Sequence, residues 1–158
     1  MRSKDYFDNA TPAGNSVAAL VLLRLATLAN NDHYRNLAVA TLREMTDQLR
    51  RYPSGFGYAL SAVDFLLSTP KEIAIVGKDP VDLTPLLAEA WRPYLPNKVV
   101  APGVVDQPEA AEVVPLLENR PLINDLATAY VCEYYTCQQP VNEVFALKEQ
   151  LNSSTKPV

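Results

Sequence analysis

Eleven of the chain's thirteen prolines lie from Pro70 onward, and only Pro12 and Pro53 precede it. Proline fixes φ and has no amide hydrogen to donate, so helix interiors exclude it. The front of the chain is therefore free to form long helices. The back is cut into short elements and turns. The expected organisation is a helical segment over 1–69 followed by a small, mostly parallel α/β unit over 70–158 packed on it, an α/β chain overall.

In the front, Asn15 or Ser16 is placed to cap a first helix that runs to about Ala29. Val17, Leu20, Val21, Leu22, Leu23, Leu25 and Leu28 surround most of its circumference. A helix apolar nearly all round is expected to be buried on several sides. A second helix is predicted from about Asp32 to before Pro53. Its stripe is Tyr34, Leu37, Ala38, Leu42, Met45 and Leu49, and Arg35, Arg43, Glu44, Asp47 and Arg50 occupy much of the rest. A third helix spans about Phe56 to Leu67. A doubly buried helix followed by an amphipathic one is the pattern of layered helical arrays such as α/α barrels. One hairpin cannot surround the first helix, so further helices are expected against it.

In the back, Ile73-Ala74-Ile75-Val76 before Gly77 suits a buried strand. Asp79-Pro80 or Thr84-Pro85 can start the next helix, with proline at its first position. Lys98 to Ala101 and Thr128 to Cys132 read as further strands. Glu109 to Leu117 reads as a weak helix interrupted by Pro115, and Asn142 to Leu151 as a last one. Alternation of strand and helix predicts the mostly parallel sheet.

The net charge of -4 argues against generic nucleic-acid binding, which needs a basic surface. The longest apolar run, Val17 to Ala29, is interrupted by Arg24 and is too short for a membrane span. The polar opening residues carry no apolar signal core, so the expected location is cytoplasmic. Gly77 after a strand is not part of a Gly-x-Gly-x-x-Gly fingerprint, and no cofactor is expected.

The stretch Asp8-Asn9-Ala10-Thr11-Pro12-Ala13-Gly14-Asn15-Ser16-Val17-Ala18-Ala19-Leu20 resembles a family signature, DNATPSGNSVAAL. The family is the thioredoxin-domain-containing proteins of bacteria and eukaryotes, including the spermatogenesis-associated ones, in which a thioredoxin-like domain precedes an α/α barrel. Glu72 to Gly77, Leu95 to Val100 and Thr128 to Gln138 match further stretches in the same order, the last resembling TAYVCENFTCQ. The resemblance runs from about Lys4 to Leu151. It implies a C-terminal region that completes or caps a barrel and is not catalytic alone. It further implies a partner in the rest of such a protein, or a homodimer through the helical face. It also brings an analogy to six-hairpin glycosidase-like barrels and to 2-epimerases of N-acylated sugars, hence a carbohydrate pocket. The chain departs from the pattern at Ala13, where the family usually has Ser, and at Tyr134-Tyr135, where it has Asn-Phe.

Two sites follow as candidates. In the first, Asp8, Asn9, Thr11, Gly14, Asn15 and Ser16 lead into a helix N-terminus, whose free amides can hold an anion or a polar substrate group. In an α/α barrel, such a loop faces the cavity and can touch a sugar. The plainer reading is a capped helix entrance. In the second, Cys132 and Cys137 are five residues apart. They point to opposite faces of a continuous strand, so a disulfide needs a turn between them. Buried structural thiols are the plainer expectation. A disulfide, or a redox pair serving a thioredoxin-like domain, is the alternative, although no basic residue adjoins either cysteine in sequence. A zinc site lacks ligands, since His33 is the chain's single histidine, and no metal is expected. His33 reads as a surface or capping residue. Asp5 with Asp8 can imitate a glycosidase pair but reads as solvated acids. Trp91, Tyr94, Tyr130, Tyr134 and Tyr135 are expected to serve core packing rather than sugar stacking.

Overall fold

In a computed structural model the described residues are 6–107, 109–133 and 136–153. The chain divides into two compact units, Met1–Ser68 and Thr69–Val158. Each is considered by itself.

The first unit contains α1 (Gly14–Leu28), α2 (Asp32–Glu44), α3 (Thr46–Arg51), a 3₁₀ turn at Pro53–Gly55 and α4 (Gly57–Leu67). α1 packs against α2 and α4, burying Ser16, Ala19, Leu20 and Leu23. It begins at Gly14, earlier than a cap at Asn15 or Ser16 predicts. Its N-cap residue, Ala13, has no side chain able to cap. The predicted second helix is broken at Met45. The Leu42 carbonyl accepts from the Met45 amide at 3.1 Å and from the Thr46 hydroxyl at 3.3 Å. A threonine hydroxyl bonded back to a carbonyl competes with the helix ladder. The bend delivers Met45 into a core cluster with Phe56 and Ala59. The described residues of this unit form no α/α barrel.

The second unit contains β1 (Lys71–Gly77), α5 (Pro80–Trp91), β2 (Lys98–Val104), α6 (Glu109–Val113), a 3₁₀ turn at Pro115–Leu117, β3 (Thr128–Glu133), β4 (Thr136–Cys137) and α7 (Val144–Asn152). The helix start at Asp79-Pro80 prevails over Thr84-Pro85. The Asp79 carboxylate accepts from the amides of Val81 at 2.7 Å and Asp82 at 3.0 Å, and Pro80 needs no donor at that position. Pro85 then falls inside α5.

The strand order is β2-β1-β3-β4. β1 runs parallel to β2 but antiparallel to β3, and β3 runs antiparallel to β4. The expected mostly parallel sheet is thus corrected to a mixed one. A parallel return needs a crossover segment, commonly a full helix. α6 has only five residues, and Pro115 stops it. Asn119, Asn124 and Asp125 adopt φ of 56°, 54° and 60°. Asn and Asp tolerate this left-handed conformation better than other side chains. The chain turns back there and enters β3 in the opposite direction.

Alternation of side chains divides the sheet into two faces. Ile73, Ile75, Ala129 and Val131 meet Leu83, Leu86 and Ala90 of α5 and Leu147 and Leu151 of α7 in one core. On the opposite face, the 3₁₀ turn lies against β1 and β2. Gly103 permits the approach: a Cβ there would lie 3.0 Å from a Leu117 methyl carbon.

At the end of the sheet, Lys71 Nζ lies 2.7 Å from Glu133 Oε1 and donates to the Ser153 carbonyl at 2.6 Å. Both side chains are about nine-tenths buried. Desolvated ion pairs tolerate the loss of both charges better than the loss of one. Among the described residues no helix is long and apolar enough to cross a membrane. The Lys71→Met substitution is expected to destabilise the chain by about 3 kcal/mol, and adding Glu133→Leu to recover most of that loss. Urea unfolding followed by circular dichroism measures both; a double variant weaker than the single would contradict this account of the pair.

Candidate functional site

The first candidate is built around Asp8. Its Oδ1 accepts from the Ala13 amide at 2.8 Å. Its Oδ2 accepts from the amides of Tyr58 at 2.9 Å and Ala59 at 3.0 Å. Tyr58 and Ala59 stand in the first turn of α4, whose own N-cap residue, Phe56, makes no side-chain cap. Asp8 thus caps α4 from about fifty residues away, and places negative charge at the positive end of that helix. The Asp8 amide donates to the Gly55 carbonyl at 2.8 Å, fixing the loop a second time. The Phe7 ring lies 5.0 Å from the Phe56 ring.

Burial alone would raise the Asp8 pKa. The Ala13, Ala59 and Tyr58 amides outweigh it, together with the Ser16 hydroxyl, and hold it below its ordinary value of 3.8. Ser16 is buried, and its oxygen makes no well-formed hydrogen bond of its own. Asn9, Thr11 and Gly14 are exposed, and Asn15 is half-buried. The loop therefore divides. Its carboxylate is engaged by backbone amides and Ser16 is buried, while Asn9, Thr11 and Gly14 face solvent.

The second candidate lies in the other unit. Cys132 and Cys137 are joined in a disulfide. They stand directly opposite each other on β3 and β4. This corrects the expectation of two buried thiols. Cys132 is buried, but Cys137 is exposed on the outermost strand. Antiparallel pairing of β3 with β4 makes residues five apart in sequence cross-strand neighbours.

Arg120, which sequence reasoning did not single out, completes this site. Its Nη2 donates to Cys137 Sγ at 3.3 Å and to Cys132 Sγ at 3.6 Å. Its Nε donates to the Leu116 carbonyl at 3.4 Å. The guanidinium carbon stands 5.0 Å from the centre of the Tyr130 ring. The Tyr130 hydroxyl donates to the Pro121 carbonyl at 2.5 Å, so both Arg120 and the residue after it are tied to β3. Glu72 of β1 stands opposite Cys132 of β3. Burial raises the Glu72 pKa, and the Arg120 charge opposes that rise. Burial likewise raises Tyr130, again against Arg120. No local sequence signal reveals this grouping, since Arg120 precedes the cysteines by 12 and 17 residues.

The remaining candidates are dispersed. His33 is exposed at the start of α2, where its amide donates to the Asn31 side chain. Asp5, Tyr134 and Tyr135 lie outside the described residues. Tyr130 is buried as expected, but Trp91 and Tyr94 are 62% and 91% exposed, which corrects their assignment to the core. Lys98 Nζ sits 4.9 Å from the centre of the Trp91 ring and donates to the Ala90 carbonyl at 2.6 Å, closing the end of α5. Burial lowers the Lys98 pKa.

The Asp8 geometry has a stability consequence. Replacing Asp8 by Asn exchanges one accepting oxygen for a donor facing amide hydrogens. Asp8→Asn is expected to cost about 2 kcal/mol at neutral pH. A carboxyl whose folded pKa is depressed contributes fully above its unfolded value and loses that contribution as pH falls through the folded one. The parent should therefore lose stability below about pH 4, and Asp8→Asn should lose less over that interval. Thermal unfolding between pH 7 and pH 2 measures the difference; parallel curves for the two proteins would refute it.

The chain is similar to spermatogenesis-associated protein 20 of three mammals. It is 30% identical to the human protein over 154 residues and 32% identical to the rat protein over 155 residues. The mouse protein is 30% identical over 155 residues. Each alignment covers 96% of this chain and 20% of the relative. No protein-family model matches the chain, and no solved structure matches it. The chain thus spans about a fifth of the length of the curated relatives it matches, at a similarity consistent with the resemblance its motifs carry.

Proposed function

We propose that this chain is a non-catalytic segment of a larger cytoplasmic protein with a thioredoxin-like domain, and that α1 completes or caps its α/α barrel. The observation behind this reading is the outer side of α1. Val21 and Leu25 remain 45% and 41% exposed although the helix already packs against two others. Ala18, at the same helical spacing, is also exposed. Covering the remaining surface of Val21 and Leu25 is worth about 1 kcal/mol each. Neighbouring helices of a longer polypeptide, or a second copy of the chain, fit such a stripe. Similarity to proteins five times as long supports the first.

The engagement of Asp8 by backbone amides weighs against the alternative of a carbohydrate pocket. That alternative retains only the exposed Asn9, Thr11 and Gly14 and the half-buried Asn15.

Sedimentation equilibrium tests the proposal. The chain by itself is expected to self-associate as its concentration rises. Val21→Lys combined with Leu25→Glu is expected to remain monomeric with the same helical circular dichroism. A parent that stays monomeric at the highest attainable concentration would end the reading of α1 as an uncovered barrel helix.

A further inference from the structure

The disulfide differs from a buried structural link in two respects. One cysteine, Cys137, is an exposed residue on the two-residue edge strand β4, and the other, Cys132, is buried in β3. A guanidinium also donates to both sulfurs at 3.3 and 3.6 Å. Neutral disulfide sulfurs are weak acceptors, so this donor gains little from the oxidised state. It gains much more from a thiolate, because hydrogen bonds to an ionised acceptor are about twice as strong. Arg120 is thus better matched to the reduced pair than to the bonded one.

We propose that Cys132 and Cys137 form a reversible thiol–disulfide site that exchanges with low-molecular-weight thiols, with Arg120 holding the thiolate. An external thiolate attacks Sγ of Cys137, the exposed residue of the two. A bond forms between the two sulfurs as the Cys132–Cys137 bond breaks, and the electron pair leaves on Cys132 Sγ beside Arg120 Nη2. A second external thiolate attacks the external sulfur of this mixed disulfide and releases Cys137 as a thiolate. Two external thiols become one external disulfide, and two electrons pass to the protein. The two protons lost by the external thiols pass to solvent and to the cysteines according to pH. The reverse sequence restores the protein disulfide. Disulfide exchange of this kind proceeds through thiolate attack, and a low leaving-group pKa speeds it. Reduction removes the covalent link between β3 and β4 and leaves β4 held by backbone pairing.

The groups facing the sulfurs are Arg120, which favours thiolate, and Glu72, which when ionised opposes it. Tyr130 lies on the same face. Lys71 and Glu133 pair with each other on the opposite face.

The test uses the intact chain in buffers of graded glutathione to glutathione disulfide ratio, quenched with N-ethylmaleimide and weighed by mass spectrometry. The expected result is conversion from zero to two labels across the series without denaturant. Alkylation of the reduced parent by iodoacetamide should follow a midpoint below the value of about 8.5 for free cysteine. Arg120→Gln should need a more reducing buffer and alkylate about tenfold more slowly at neutral pH, and Arg120→Lys should recover part of that rate. Zero labels at every ratio would make the bond a permanent link and overturn the proposal. Two labels at every ratio, or a parent midpoint at or above that of free cysteine, would overturn it as well. The parent measurements decide the matter even if the Arg120 variants fold poorly.

Discussion

Strand β1 pairs with β2 on one edge and β3 on the other, and its residues Ile73, Ala74, Ile75 and Val76 are buried. No water reaches that backbone, so its amides and carbonyls must be satisfied by neighbouring strands. The rest of the second unit follows from this constraint. The crossover through α5 supplies the parallel partner β2. The chain then has to return to the open edge of β1, and the left-handed Asn and Asp residues turn it there. Because β1 is apolar on both sides, each face needs cover. α5 and α7 cover one, and the 3₁₀ turn at Pro115–Leu117 lies against the other. The segment that follows that turn carries Arg120 onto the same face as Cys132.

The two candidate sites use charge in opposite ways. Asp8 is a carboxylate whose oxygens are taken up by amides of its own unit. A group so engaged loses hydrogen bonds if it turns to a ligand, which makes it a structural element of the helical unit. Arg120 is a guanidinium whose acceptors include two weakly accepting sulfurs. Its best acceptor, a thiolate, is one that the oxidised structure does not present. Asp8 thus meets strong donors within its own unit, whereas Arg120 meets two weak sulfur acceptors and acts on the charge of Glu72.

Much of the secondary structure was legible in the residues. The apolar run before Gly77 marked β1, the stretch from Phe56 to Leu67 read as the helix that became α4, and Asp79-Pro80 was one of two candidate starts for α5. Each rests on neighbours within one or two turns, where local sterics and capping decide. The break at Met45 was less legible, because it depends on burying that side chain with Phe56 and Ala59. Strand β4 is two residues long and has too little pattern to show. Strand direction was misread because alternating elements imply parallel strands only when the connecting helix is long enough to cross the sheet, and α6 is not.

Proline placement by itself determined that the chain has a helical front and a fragmented α/β back, since the cost of proline in a helix is paid locally. The need for a turn between Cys132 and Cys137 was equally fixed by their spacing. Only tertiary structure decided that the two cysteines face each other across β3 and β4, that Cys137 is the exposed residue, and that Arg120 meets both sulfurs. The same holds for Asp8, whose position before a helix suggested a local cap and whose acceptors reach instead to the start of α4. Hydrogen bonds between side chains and distant backbone depend on how elements pack, and residue order alone does not encode which helix end or which sulfur a charged group will meet.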